Sequence, residues 1–263
     1  MIFSFDLLVN AIVSGILIGG FYAAVTSGVS LSFGIDPIIA AIIATPLFYV
    51  LGAVIYQVYY VAFEKRGQES LRGLAFFFGL LFITEVTLVL YFGVDYRYVD
   101  ARYIGPTLHL GMIDVPLRIL VPFLVSLLLI AVLQLILTRT FIGRAIMAVA
   151  QDQLALRLMA VDPVRIKRIA FGISIATASL AGAFLIIIQP VEPSVGREYI
   201  GRVFAICVLG GMGSLPGTVI AAMLLGIVES LTATFYGPSW APAVSFGFLL
   251  LTLAVRPAGL LGR

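Results

Sequence analysis

Val208–Thr218 reads VLGGMGSLPGT, four glycines and a proline set inside one of the most hydrophobic parts of the chain. Three structures suit such a stretch: a loop that cradles phosphate, a plain turn, or an interruption in a membrane-spanning helix. The surrounding solvent decides among them. Of 263 residues, 62% are hydrophobic and only 11% charged, with a mean hydropathy of +1.15, whereas a soluble domain carries about a quarter charged residues. Apolar runs of about 20 residues, enough to cross a ~30 Å hydrocarbon layer as helix, recur along the chain, and the ten-residue alternation of a membrane barrel does not. The fold class is therefore all-α, a polytopic transmembrane helical bundle embedded in a lipid bilayer.

The apolar runs are Leu7–Phe33, Pro37–Phe63, Leu74–Gly93, Ile119–Leu137, Ile169–Ile188, Val203–Glu229 with the glycine break inside it, and Val244–Val255. This predicts about seven or eight crossings, including a Gly-broken helix pair, in a single transmembrane domain over 1–263. Met1–Asp6 has no basic n-region and no small-residue cleavage site follows, so the first run is expected to stay as a helix. The net charge of +3 comes from basic residues that fall between apolar runs rather than on one soluble face, which points away from nucleic acid.

Loop charges set the orientation. Glu64–Arg72 holds Lys65, Arg66 and Arg72 against two glutamates, and 139–168 holds Arg139, Arg144, Arg157, Arg165, Lys167 and Arg168 against Asp152 and Asp162; both read as cytoplasmic. The loops 94–118 and 190–202 balance their acids and bases and read as external. With those assignments the segment leaving the external side at Val203 can reach an external Tyr236–Ala241 turn only if the chain reverses near Gly210–Gly217.

The phosphate-loop pattern needs Gly-Lys-Ser/Thr at the entry to a helix, and no lysine lies near VLGGMGSLPGT. Two readings stay open for Gly210, Gly211, Gly213, Ser214, Pro216 and Gly217. One is a small-residue surface for close helix packing, since Gly213 and Gly217 have small-xxx-small spacing. The other is an interrupted helix beside a translocation path, because Pro216 lacks an N–H and irregular backbone is tolerated at membrane depth only beside protein or a water-filled cavity.

Glu85 and Glu229 are the ionisable residues well inside expected spans, each read either as a proton carrier or as a buried hydrogen-bonded carboxylate. Neither has an evident basic partner in a facing span. His109, the single histidine, falls in the stretch IGPTLHLGMIDVPL, which reads as a small external hairpin; with no second histidine it suggests no metal site. Cys207 is read as a small buried hydrophobe.

After Gly143, RAIMAVAQDQLALRLMAVDP has no glycine or proline before Asp162-Pro163, where a helix should stop. It predicts one amphipathic helix with Met147, Ala150, Leu154, Leu158 and Val161 as an apolar stripe and Arg144, Gln151, Asp152 and Arg157 away from it. Such a helix either lies on the lipid interface or docks a cytoplasmic partner.

TRTFIGRAIMAVAQDQLALRLMAVDPVRI, then VFAICVLGGMGSLPGTVIAAMLLGIVES, then SFGFLLLTLAVRPAGLLGR resembles the branched-chain amino-acid permease family of ATP-driven (ABC) importers, in its shorter H-type subunit. The likeness covers 138–263, and NAIVSGILIGGFYAAVTSGVSLSFG is similar to the family's first helix. The resemblance implies a non-enzymatic permease in a bacterial or archaeal cytoplasmic (inner) membrane. Its implied partners are a second permease subunit, cytoplasmic ATP-binding subunits that carry the ATP-Mg, and an external substrate-binding protein; no cofactor is implied in this chain. It makes Arg144–Pro163 a coupling helix, with Arg144, Met147, Ala150, Asp152, Leu154, Arg157, Leu158 and Asp162 facing the ATP-hydrolysing partner. Gly210, Gly211, Gly213, Ser214 and Gly217 match its glycine signature, and Arg256, Pro257, Gly259 and Leu260 its C-terminal one. The expected cargo is a branched-chain or related hydrophobic amino acid; urea, amides and aromatic or carboxylate solutes in the same role, and a proton-coupled secondary transporter using Glu85 or Glu229, are the alternatives. One departure stands out. Family members continue after the first Phe-Gly with Asn-Phe-Ala-His-Gly and another apolar run, whereas here Gly34 is followed directly by Ile35. A segment missing at 34/35 is expected to add one crossing and place Met1 outside.

Overall fold

The computed structural model describes residues 37–66, 70–97, 99, 107–110, 113–211, 213–255 and 259–261. Leu7–Phe33 and the 34/35 junction lie outside the described residues. The helices are α1 (Pro37–Ala62), α2 (Ser70–Phe92), α3 (Leu117–Arg139), α4 (Phe141–Gln151), α5 (Gln153–Leu158), α6 (Pro163–Ile188), α7 (Val195–Gly210), α8 (Leu215–Phe235) and α9 (Ala241–Val255). Strands β1 (Thr107–Leu110) and β2 (Ile113–Pro116) pair antiparallel, so the expected hairpin is present. Within it His109 Nδ1 lies 2.5 Å from Asp114 Oδ1, both side chains exposed.

Among the described residues six helices are long and apolar enough to cross a membrane: α1, most of α2, α3, α6, α8, and α9 with the turn before it. Four expected spans, Pro37–Phe63, Leu74–Gly93, Ile119–Leu137 and Val244–Val255, match α1, α2, α3 and α9 within a few residues, and two others differ in extent. α6 starts at Pro163 rather than Ile169. Proline suits the first helical position, and the Asp162 carboxylate accepts a hydrogen bond from Val164 N (2.9 Å), capping the helix ahead of its cationic first turns. The charges of Arg165, Lys167 and Arg168 mark where α6 leaves the apolar layer, not where it begins.

The expected Gly-broken helix pair is present, as two helices that extend beyond both ends of Val203–Glu229. α8 has 21 residues, about 31 Å of helix and enough to cross by itself. α7 has 16 residues, about 24 Å, and it starts at Val195, so Arg197, Glu198 and Arg202 sit on a helix rather than in the 190–202 loop. Hydropathy missed its first half because those charges dilute the apolar signal.

Contacts divide the chain into two compact units, Met1–Gly196 and Arg197–Arg263. The core of the first is the crossing of α1 and α6. A Cβ on Gly52 would lie 3.1 Å from Gly172 Cα, and one on Gly172 would lie 2.9 Å from the Tyr49 ring and 3.0 Å from its carbonyl oxygen. Small residues bring these backbones together where apolar solvent gives helices no hydrophobic reason to associate. Beside the crossing, Phe48, Tyr56, Tyr59, Phe77, Phe171 and Ile175 form a buried cluster that brings in α2. Tyr59 and Phe77 centroids are 5.3 Å apart and those of Phe77 and Phe171 5.8 Å, within the range of favourable tilted ring pairs. In the second unit Ala205 and Val208 of α7 pack with Leu249 of α9.

Two ties support the same-side grouping of loops in the first unit. Lys167 Nζ lies 2.6 Å from Glu64 Oε1, joining the two loops read as cytoplasmic. Arg97 and Val191 exchange backbone hydrogen bonds, each 2.9 Å, joining the two read as external. Gly172→Val should push α6 off Tyr49 and cost about 1–3 kcal/mol; a thermal unfolding midpoint in detergent equal to that of the unaltered protein would contradict the close crossing.

Candidate functional site: the glycine break and the paired helices α4 and α5

The glycine break is built from three stretches of the second unit. α7 stops at Gly210; Gly211 and Gly213 follow with φ of 90° and 85°, the left-handed region that glycine enters without a steric cost. α8 then starts in a well-formed N-terminus: the Ser214 hydroxyl accepts from Gly217 N (3.2 Å) and Pro216 stands in the first turn. Gly210 and Gly217 meet across the break. A Cβ on Gly217 would sit 2.0 Å from the Gly210 carbonyl oxygen, and one on Gly210 would sit 2.6 Å from Thr218 Cα. Met212 lies outside the described residues.

The chain does reverse here. Arg202 Nε of α7 is 3.4 Å from Glu229 Oε1 of α8, whereas a continuous helix would hold the two residues about 40 Å apart at ~1.5 Å per residue. Glu229 also accepts a hydrogen bond from the buried Ser245 hydroxyl of α9, so one carboxylate ties three helices together. The Arg202 guanidinium stacks over the Tyr199 ring, 5.2 Å from its centroid. The expectation that Glu229 lacks a basic partner is thus corrected: the partner is Arg202, which sequence reading counted only as a loop charge. Glu85 sits half-buried on α2, and Cys207 is buried in α7, as expected of a small hydrophobe.

The end of α7 is closed by the C-terminal segment. Leu260 N donates to Leu209 O (2.7 Å) and Leu261 N to Gly210 O (3.3 Å), filling two carbonyls that a helix end leaves without intrahelical donors. Gly259, at φ 79°, approaches so closely that a Cβ there would lie 2.4 Å from Gly211 N. Gly259 and Leu260 therefore sit on the glycine signature itself; Arg256 and Pro257 lie outside the described residues.

In the first unit, α3 passes into α4 through Thr140 alone. The Thr140 hydroxyl accepts from Gly143 N (3.0 Å), and Gly143 fits because a Cβ would fall 2.3 Å from Ile136 O. The single helix expected from Arg144 to Asp162 is corrected to two, α4 and α5, separated at Asp152, which is extended (φ −150°, ψ 107°). Aspartate favours such breaks because its carboxylate competes for nearby backbone groups. Ala145, Val149 and Leu156 turn inward and pack on Ile166 of α6, with Val161 beside them. Arg144, Met147, Ala150, Gln151, Asp152, Arg157 and Asp162 are exposed, and Leu158 is 82% exposed. Leu154 lies on α5. The segment has apolar residues on two faces: Ala145, Val149 and Leu156 pack against α6, whereas Met147, Ala150 and Leu158 of the expected stripe are exposed among the described residues, and its Val161 lies with the packed face.

A family described as the branched-chain amino acid transport system / permease component matches residues 1–253. The chain belongs to this family. Relatives include the high-affinity branched-chain amino acid transport system permease protein BraD of Pseudomonas aeruginosa, 34% identical over 154 residues, which are 58% of this chain and 50% of that protein. LivH of Escherichia coli K12 is 36% identical over 122 residues, 46% of this chain and 40% of LivH. A probable LivH of Methanocaldococcus jannaschii is 26% identical over 265 residues, 92% of this chain and 81% of that relative. The matches to BraD and LivH thus span half or less of those relatives' length. No solved structure matches the chain. Family membership together with six apolar spans among the described residues makes this a multi-pass membrane protein.

Sequence reasoning missed Arg202, Ser245 and the pairing of Glu64 with Lys167. Each is polar and defined by a partner far away in the chain. Gly217→Ala drives a methyl into the Gly210 carbonyl and should destabilise by at least ~1–3 kcal/mol, with Gly259→Ala similar through its left-handed φ. Ser214→Ala should lose only a cap, about 1 kcal/mol. Equal thermal midpoints for Gly217→Ala and Ser214→Ala would refute the close contact.

Proposed function

We propose that the chain is a transmembrane permease subunit of an ATP-driven importer in a bacterial or archaeal cytoplasmic membrane. It translocates branched-chain or related hydrophobic amino acids delivered by an external binding protein. It pairs with a second permease chain, and cytoplasmic subunits that carry ATP and Mg drive it; the chain itself catalyses no reaction. The observation that carries the reading is the family match over residues 1–253. The relatives are named for branched-chain amino acid transport, and LivM of Salmonella typhimurium, 34% identical over 149 residues (55% of this chain, 35% of LivM), bears the same system's name, which fits a pore made by two related chains.

The geometry fits this role in two places. α4 and α5 carry an inward face packed on α6 and an outward face bearing Arg144, Met147, Ala150, Asp152, Arg157 and Leu158. A partner that pulled on the outward face would move α6 through Ala145, Val149 and Leu156. The break at Gly210–Gly217 leaves two helix ends held by close backbone contacts, an arrangement suited to the wall of a path between helices. Glu229, held by Arg202 and Ser245, suits an anchoring role better than that of a mobile proton carrier.

Reconstitution of the chain with a second permease, the ATP-binding subunits and a binding protein loaded with leucine should give ATP-dependent uptake. Robust gradient-driven uptake by the isolated chain would overturn the reading. Replacing Asp152 or Arg157 with alanine, or Ala150 with tryptophan, should reduce ATP-driven uptake about ten-fold or more while membrane insertion stays intact. Unchanged uptake in all three variants would remove α4 and α5 from the coupling surface.

A further inference from the structure

Two adjacent residues of α6 point to different parts of the first unit. Ile166 is buried among Ala145, Val149 and Leu156 of α4 and α5. Lys167, only 3% exposed, places Nζ 2.6 Å from Oε1 of Glu64, itself 9% exposed, just beyond the end of α1. The other carboxylate oxygen, Oε2, accepts from the Tyr56 hydroxyl at 2.6 Å. Tyr56 is buried and rests on Phe171 one turn further along α6, with ring centroids 5.9 Å apart. On the next residue Arg168 Nη1 donates to Gln57 Oε1 at 3.2 Å, a second tie to α1.

Removing a lysine and a glutamate from water is costly, and an apolar pair of similar volume would often serve stability as well or better. Packing alone therefore does not account for the pair. What a buried charge pair adds is register: with the ammonium on one oxygen and the phenol on the other, α1 can sit against α6 at one height only, whereas apolar side chains tolerate sliding.

We propose that Tyr56, Glu64 and Lys167 are positioning residues that join α1 to α6, so that a displacement received by α4 and α5 and passed through Ile166 moves both helices as one body. This rests on the importer reading above. The triad would then be a determinant of coupling, separate from the exposed surface that receives the partner.

The test uses the complete reconstituted complex, measuring solute taken up per ATP hydrolysed alongside membrane yield and thermal midpoint. The triple variant Tyr56→Phe/Glu64→Leu/Lys167→Met removes every polar group of the triad without stranding a charge. It is expected to keep yield and ATP hydrolysis while uptake per ATP falls at least ten-fold. Tyr56→Phe alone, a substitution that keeps the ring packing, is expected to lower uptake per ATP about three-fold at unchanged yield, and Lys167→Arg to retain most of it. Unaltered uptake per ATP in the triple variant overturns the proposal; if that variant does not accumulate, unaltered uptake per ATP in Tyr56→Phe overturns it instead. A complex with the unaltered chain that shows no ATP-driven uptake would count against the importer reading itself, and so is distinguishable from failure of the triad.

Discussion

A helix end buried within the protein must find partners for its last carbonyls there, because no water reaches them. The arrangement of the second unit follows from that constraint at Gly210. The carbonyls of Leu209 and Gly210 are met by the amides of Leu260 and Leu261, which draws the C-terminal segment back onto the break. That approach is possible because Gly211 and Gly259 carry no Cβ, and the facing turn closes because Gly210 and Gly217 carry none either. Glycines that look like a flexible run in the sequence are thus places where backbone touches backbone. With the turn closed, α7 and α8 lie alongside each other, and Arg202 reaches Glu229.

Polar side chains do a related task elsewhere. In the second unit Glu229 gathers α7, α8 and α9 around one carboxylate. In the first, Glu64 gathers the end of α1 and the start of α6. Both are expensive to bury and both are satisfied by a cation and a hydroxyl, which turns a desolvation cost into a fixed helix register. Apolar surface cannot provide this in a membrane, where lipid tails compete on equal terms with side chains. Along α3, by contrast, Phe123, Leu124, Leu128, Val132 and Leu135 are exposed, and the close glycine contact it receives, from Gly143 of α4, lies at its C-terminal end.

Much of the fold was legible from hydropathy. The spans at Pro37–Phe63, Leu74–Gly93 and Ile119–Leu137 correspond to α1, α2 and α3 within a few residues, because in lipid a long apolar run has one low-energy form. Legibility failed where helices leave the layer. Arg165, Lys167 and Arg168 at the start of α6, and Arg197, Glu198 and Arg202 on α7, were read as loop because charge was taken as the end of a helix. Hydrogen bonding continues past the interface, and a capped terminus such as Asp162-Pro163 marks the true start. The segment 144–162, read as cytoplasmic, failed for another reason: two of its faces are apolar, and only contact with Ile166 of α6 decides which one packs.

By itself the sequence determined that this protein lives in a bilayer as a helical bundle, which loops share a side, that the chain must reverse at the glycines, and that it resembles a permease family. These follow from composition, from the cost of placing charge in hydrocarbon, and from motif order, all properties of local stretches. The tertiary structure alone decided that Arg202 answers Glu229, that Lys167 and Tyr56 share Glu64, that the C-terminal segment closes α7, and that Ala145, Val149 and Leu156 pack on Ile166 of α6. Each of these is a pairing between residues far apart in the chain, set by how helices cross. A single sequence carries no record of which of its few polar groups will meet.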